Sequence, residues 1–391
     1  MKKQPRNIVL AVLCGAMAVS AGSCAMSQTY PVTVDGEQLR AGIYILEQQE
    51  ALNSAISKLR EEQPDLDTSA EGFDYFKQTV EGKSFADWIN ETALENCRGY
   101  VATERLFDQN GLTLTADKLS EVNANVKSLW NDENQYAQYY YGVSVIGDYY
   151  EKYGIGEQSF LDYEINESKS NALFTFLYGE GGSKAATQEE INASLSSDYL
   201  ALNYFPYELE NGATAQSFAD RIAGGEEYEE VYRDYAQAIA DAEAAANAAA
   251  AETADGEESG EIANTDSAEA EAAASAETAA TVVEKAEKDS LIQIMKKSNN
   301  APSEEFVKQA SAMNNGDVKV ITVDSDSGTK TYVVQKLDIL SLTEKTKDTV
   351  DTIRTDLKTD EFRELIKSTG AGYTLTTDSS INLYKPETLI K

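Results

Sequence analysis

Few positions in this chain could carry chemistry, and the first is Cys24. It follows the small residues Ala21, Gly22 and Ser23, the apolar run Ile8 to Val19, and a basic opening at Lys2, Lys3 and Arg6. A charged start, an apolar segment too short to span a bilayer and small residues before a cysteine form the pattern a signal peptidase reads. The pattern predicts a bacterial lipoprotein leader over residues 1–23, with Cys24 as the acylated mature N-terminus and 24–29 as a tether. Ala21 replaces the usual leucine and Ser23 the usual glycine or alanine, and both substitutions keep the side chains small. The alternatives are a plain secretory signal cleaved after Ser23 or Ala25, and a membrane anchor. On the lipoprotein reading the protein works outside the cytoplasm, held to the outer face of the cell membrane.

Other chemistry is excluded by what is missing. The 391 residues contain no histidine, which removes the commonest general base and the commonest metal ligand, and with them Ser-His-Asp, Cys-His and His-zinc sites. Of three cysteines, Cys14 belongs to the leader and Cys24 to the lipid, so Cys97 is left without a disulfide partner and reads as a small residue on a helix face. Asp324 and Asp326 begin like a calcium loop, but the twelfth position is Gln335, so the ligand spacing fails. No metal and no cofactor are expected.

The formal net charge is −34, and without the leader 30 basic residues face 67 acidic ones. That field repels nucleic acid and anionic headgroups, so the lipid and not charge must hold the membrane, and a basic polypeptide would be attracted.

Val32 and Val34 begin a short strand that turns at Asp35-Gly36 into a helix carrying Leu39, Ile43, Leu46, Ala51, Leu52, Ile56 and Leu59, broken at Pro64. A second stripe, Phe85, Trp88, Ile89, Ala93, Cys97, Val101 and Leu106, stops at Asn110-Gly111. Thr113 or Thr115 caps a third helix with Leu119, Val122, Val126, Leu129 and Trp130. A run of tyrosines follows, and Tyr136, Tyr139, Tyr140, Tyr149 and Tyr150 are the candidates for binding extended peptide, since a phenol ring offers apolar area with a polar tip. Helix-packing aromatics with exposed hydroxyls are the alternative. A helix from Glu157 to Leu177 is predicted to bury Phe160, Tyr163, Ile165, Leu173 and Phe176, and Thr187-Gln-Glu-Glu190 reads as a capping box.

Character changes at Leu200 to Tyr207, which reads as a strand, followed by a helix from about Ala213. From about Ala236 to Thr281 complexity is low: residues 241–280 hold 18 alanines, 11 acidic residues and no basic one. The stretch 236–285 is predicted to be a disordered acidic insertion, because it cannot bury enough apolar surface to offset its ordering entropy. Val318 to Val323 and Thr331 to Leu337 read as a hairpin, Leu342 to Lys367 as an amphipathic helix with Val350, Ile353, Leu357, Phe362 and Ile366 in its stripe, and Tyr373 to Tyr384 as strand-like.

This order resembles the SurA/PrsA family of extracytoplasmic foldases. The resemblance rests on layout and on Val32 to Leu39, Tyr153-Gly-Ile-Gly-Glu-Gln-Ser-Phe160 and Thr187 to Ile191. It implies an α+β protein: a mostly helical chaperone module at 30–199 completed by 341–391, with a small parvulin-like domain inserted at 200–340. Within that domain Leu200 to Tyr207 resembles the first strand, Gln216 to Gly225 the next helix and turn, Ser303 to Gly316 a later segment and Lys330 to Lys336 the last strand. Parvulins carry a histidine in the first strand and another in the last. Here Asn203 or Tyr204, and Val333, stand at those places, so no catalytic residue carries over.

Three function classes follow. The first is a membrane-tethered chaperone that binds unfolded or nascent secreted polypeptides, with a degenerate parvulin domain as scaffold. The second is an active prolyl isomerase whose pocket is lined by Tyr204, Tyr332 and the polar group of Asn203. The third is a surface adaptor or structural lipoprotein.

Overall fold

The computed structural model describes residues 29–210, 212–254, 291–325 and 328–390, with the side chains of 249–254 and 325 left out. The predicted leader, Cys24 and the predicted tether as far as residue 28 lie outside them. The fold is α+β, mostly helical with small antiparallel sheets. Two compact units form: unit 1 takes the chain to Leu177 and again from Asp360, and unit 2 takes Tyr178–Thr359.

Unit 1 opens with the hairpin β1 (Val32–Val34) and β2 (Glu37–Leu39), turned through Asp35 and Gly36 at φ 51° and 87°. Strand β9 (Leu375–Thr377) pairs antiparallel on the other side of β1, Val32 opposite Thr377 and Val34 opposite Leu375. Helices α1 (Ala41–Glu62) and α2 (Phe85–Gln109) pack on this sheet, joined through the two-residue strands β3 (Thr79–Val80) and β4 (Lys83–Ser84). Phe85, Ile89, Ala93, Cys97 and Val101 of α2 are wholly buried, the spacing of one helical stripe. Side-chain caps start the helices, because the first turn leaves amides unpaired: Ser84 accepts from the Asp87 amide (3.1 Å), and Thr115 does the same for α3 (Ala116–Asn131) from Lys118 (3.1 Å). The short helices α4 (Gln135–Tyr141) and α5 (Ile146–Lys152) follow, then α6 (Glu157–Tyr178). Along α6, Phe160 and Leu173 are buried but Phe176 is exposed, since Leu173 and Leu177 define its inner stripe. Helices α1 and α6 touch at Gly42, where a Cβ would lie 2.5 Å from the Ser159 Cβ.

Unit 2 is a four-stranded antiparallel sheet of order β6-β5-β8-β7, formed by β5 (Tyr199–Tyr207), β6 (Ile292–Lys296), β7 (Val318–Ser325) and β8 (Gly328–Lys336). The capping box opens α7 (Gln188–Asp198): Thr187 Oγ1 accepts from the Glu190 amide (3.2 Å) and Glu190 from the Thr187 amide (2.7 Å). Residues alternate across the sheet. Leu200, Leu202, Tyr332 and Val334 face α10 (Glu304–Ser311), while Phe205 and Val333 face α8 (Ala215–Ala223) and α9 (Tyr228–Ala254).

Helix α9 corrects the expectation of disorder from residue 236. Tyr228, Val231 and Tyr235 anchor its start in the core, and the Tyr235 hydroxyl donates to the Pro206 carbonyl (2.7 Å). Once that nucleus exists, alanine propagates the helix best of all residues, and neither glycine nor proline interrupts it before Ala254. The remainder of the acidic stretch, 255–290, lies outside the described residues. The last helix, α11 (Lys347–Ala371), buries Ile353 but exposes Leu357. In the predicted strand-like tail only β9 is strand, and Ser379–Leu383 turns as a short 3-10 helix.

The contact at Gly42 makes a stability prediction. Gly42→Ala drives a methyl into Ser159 and should cost about 1–3 kcal/mol. Gly99→Ala, whose Cβ would meet only Ile366 at 3.4 Å, should be neutral or stabilising by up to about 1 kcal/mol. Urea unfolding of the two variants checks the contrast.

Candidate functional site

Two features of unit 1 stand out: a ladder of tyrosine rings, and a groove with a buried carboxyl group. The ladder is built by α3, α4 and α5. Asn134 caps α4, accepting from the Tyr136 amide (2.8 Å), and Gly142 at φ 69° ends it, so seven residues with four tyrosines stand as an isolated pair of turns. Gly147 lets α5 settle on α3, because any Cβ there would sit 2.7 Å from the Trp130 ring.

The rings then run without a break. Tyr139 lies 4.8 Å from Tyr140, Tyr140 4.2 Å from Tyr136, Tyr136 6.5 Å from Tyr141, and Tyr141 4.4 Å from Tyr149. Tyr149 meets Tyr150 at 5.6 Å, and Tyr150 stacks on Trp130 (5.8 Å) and packs on Phe160 (4.7 Å), which belongs to the core. Tyr139 is 81% exposed, Tyr140 59% and Tyr136 57%. The structure thus brings all five peptide-binding candidates together and divides their places. Tyr136, Tyr139 and Tyr140 present open faces, whereas Tyr149 and Tyr150 are half-buried and tie the surface to the core. Burial and the neighbouring Tyr153 push the Tyr149 hydroxyl up to about 12, so it stays neutral and able to donate. Contiguous exposed aromatic area of this kind is characteristic of interaction surfaces.

The groove encloses about 780 Å³ among α1, α2, α6 and the end of α11, with Trp88, Tyr100, Tyr163, Phe362 and Ile366 as apolar walls. Three of the four cations that line it are paired: Lys58 with Glu81 (3.1 Å), Lys83 with Glu91, and Arg363 with Asp360 (3.3 Å). Glu47 lines it at 7% exposure. Burial first, then Glu167 and Glu50, push its carboxyl up to about 8, against a hydrogen bond from Asn96. Sequence reading passed over Glu47, because a glutamate next to an apolar helical stripe ordinarily points to water. Cys97, beside it, is buried with its thiol pushed well up by that burial, as a packing residue and not a nucleophile.

In unit 2 the positions compared with the parvulin histidines fall apart. Asn203 stands opposite Gln335 and donates to its Oε1 (3.1 Å), while its own buried Oδ1 has no partner. Val333 stands opposite Phe205, wholly buried. Tyr204 points to the other face, 5.0 Å from Phe306 and 6.0 Å from Tyr332. The grouping of Asn203 with Tyr204 and Tyr332 in one pocket is therefore corrected, since consecutive strand residues face opposite sides. A cavity of about 590 Å³ is lined by Tyr204, Pro206, Tyr207, Tyr232 and Tyr332 without Asn203. Asp324 accepts from Thr329 Oγ1 (2.8 Å) and Asp326 lies outside the described residues. Among the described residues no helix is long and apolar enough to cross a membrane.

Glu47 makes stability pH-dependent with a defined sign. Its folded pKa lies above the ordinary carboxylate range, so the folded state holds a proton that the unfolded chain releases. The contribution is fully present below about pH 4.5 and is lost as pH rises toward about 8, at no more than about 1.4 kcal/mol per pH unit. Glu47→Gln should flatten the fall between these limits, as read by denaturant midpoints across pH.

No family model and no curated protein matches the chain. Solved structures similar to it include a foldase protein, PrsA, from Lactococcus lactis, at 12% identity and a TM-score of 0.32 over 90% of this chain and 96% of that one. PrsA from Streptococcus pneumoniae gives 12% and 0.31 over 80% and 98%, and PrsA from Bacillus subtilis 13% and 0.25 over 73% and 85%.

Proposed function

We propose that this protein is a membrane-tethered, extracytoplasmic chaperone that holds unfolded or nascent secreted polypeptides on unit 1. The observation that carries the reading is the tyrosine ladder, open at Tyr139 and rooted in the core at Phe160. Rings fixed by one another lose little entropy on binding, and each stacked contact contributes about 0.5–1.5 kcal/mol without demanding a sequence. Such a surface suits many unfolded clients. Binding also needs no titrating catalyst, which fits a chain without histidine.

In this reading the segment between the two parts of unit 1 is a parvulin-like domain retained as a scaffold. Asn203 and Val333 support the loss of histidine-based isomerisation, one engaged with Gln335 and the other packed in the core. The aromatic cavity at Tyr204 and Tyr332 favours a second reading, isomerisation through a desolvated pocket that twists the amide.

One experiment separates them: refolding of a proline-containing secreted client with the full chain, following aggregated fraction and slow phase together. The expected result is less aggregation with an unchanged slow phase, and loss of protection when Tyr136, Tyr139 and Tyr140 become Ser, with client affinity falling about tenfold or more. Protection unaffected by the triple change refutes the ladder as the binding surface. A faster slow phase that Tyr204→Ala abolishes establishes the isomerase.

The anchor is part of the proposal. Mass spectrometry of the cell-associated protein should find Cys24 acylated at the mature N-terminus, and Cys24→Ala should release the chain from the membrane fraction. An unmodified Cys24, or retention of the variant, refutes lipidation.

A further inference from the structure

The groove in unit 1 plays no part in the reading above, and its lining sets five carboxylates, Glu47, Glu81, Glu91, Glu95 and Glu167, against four cations, Lys58, Lys83, Arg363 and Lys367. Helices α1 and α6 each carry two glutamates one turn apart, Glu47 with Glu50 and Glu164 with Glu167. The pairs act on one another: Glu167 and Glu50 bear on Glu47, and Glu164 and Glu50 bear on Glu167. Phe160, which meets Tyr150 at the half-buried end of the ladder (4.7 Å), precedes Glu164 and Glu167 on α6 by one turn and two, so the same helix face runs from the ladder to the groove.

Nothing in the described part of unit 1 neutralises the inner end of this row of carboxylates. Lys118 is paired with Glu121 (2.9 Å) and bears on Glu164 at the outer end, Lys58, Lys83 and Arg363 are engaged by other carboxylates, and Lys367 is exposed on the rim. Gln48 shows the contrast. It is as buried as its neighbour, and its amide donates to Tyr44 Oη (3.2 Å), Asn90 Oδ1 (2.9 Å) and the Tyr384 carbonyl (3.1 Å). Glu47, more than nine-tenths buried, lines the cavity with a hydrogen bond from Asn96 and, among the described residues, no ion pair. A buried carboxyl without a counter-ion is held against its own desolvation, and the cavity beside it is walled by Trp88, Tyr100 and Tyr163. Aromatic walls beside unpaired carboxylates match one kind of occupant, a long side chain with an apolar stem and a cationic head.

We infer that the groove binds a lysine or arginine side chain of the polypeptide held on the tyrosine ladder, its stem against Tyr100 and Tyr163 and its cation at Glu47 and Glu167. The inference rests on the proposed polypeptide-binding function and names the client chemistry: basic, extended segments.

The groups facing Glu47 are Glu50 from α1, Asn96, Cys97 and Tyr100 from α2, and Tyr163, Glu164 and Glu167 from α6, with Arg363 and Lys367 of α11 on the groove wall. The thiol and both phenols are pushed up and stay neutral, so Glu47 is the group that changes charge near neutrality. Entry of the cation requires the carboxylate and displaces its proton. Affinity for a basic segment should therefore rise with pH.

The test uses two unstructured peptides built from tyrosine, proline and alanine, identical except that one carries arginine where the other carries citrulline, titrated into the full chain at several pH values. The arginine peptide should bind about tenfold tighter at about pH 9, and the advantage should shrink toward about pH 6. Glu47→Gln should remove both the advantage and its pH dependence. Glu167→Gln, a more exposed position that serves if the first variant does not fold, should reduce the advantage severalfold. Equal binding of the two peptides at every pH, or an advantage that survives both substitutions, overturns the cation site and leaves the ladder intact. Binding of neither peptide overturns both.

Discussion

Strand β1 is paired on both edges, by β2 next to it in sequence and by β9 from the far end of the chain, and this pairing closes unit 1. Around it, Asp35 donates its amide to Thr374 (2.6 Å), Asp378 to Pro31 (3.1 Å), and the Gln48 side chain to Tyr384. The loop so closed spans more than three hundred residues, but the entropy of closure grows only with the logarithm of length. A three-residue strand alone could not meet that cost. Burial of Val32 and Val34 under α1 and α2, and the seating of Tyr384 in the same core, can. The groove and its walls depend on the closure, because Phe362 and Ile366 reach it only when the end of the chain returns.

Within that frame, rigidity and exposure are combined in an unusual way. Exposed tyrosines on a mobile loop would lose on ordering much of what they gained on binding. Here Gly147 lets α5 approach Trp130, Tyr150 stacks on the indole, and every outer ring leans on the one before it. Rings outside the core thereby inherit its order. Helices α1 and α6 hold Glu47 and Glu167 beside the aromatic walls of the groove, so apolar and acidic surface are presented from one unit. The acidic balance of the whole chain sets up a field of the sign that would attract a basic polypeptide.

Unit 2 is organised by its sheet. Its four strands pair in continuous register, and both faces are packed. At the seam of β5 and β8 the Asn203 amide is engaged by Gln335, and Val333 is buried opposite Phe205. Sheet stability needs the alternation of apolar faces, and it places no demand on the chemistry of a polar position at the seam.

Local signals were legible without coordinates. The stripe from Phe85 to Val101, the capping box at Thr187, the hairpin of β7 and β8 and the candidate tyrosines all depend on neighbours within one or two turns, and periodicity and capping report such neighbours directly. The same local rules misread Phe176, Leu357 and the stretch 236–254. Which face of a helix is covered, and whether a helix has a buried nucleus to grow from, are decided by residues distant in sequence. By itself the sequence determined what chemistry is impossible, through the absence of histidine, and where apolar faces recur. Only the tertiary structure decided that Val333 stands buried opposite Phe205, that the tyrosines form one ladder, and that Glu47 is buried. Each of those depends on register or on helix crossing, geometric quantities that a one-dimensional pattern leaves open.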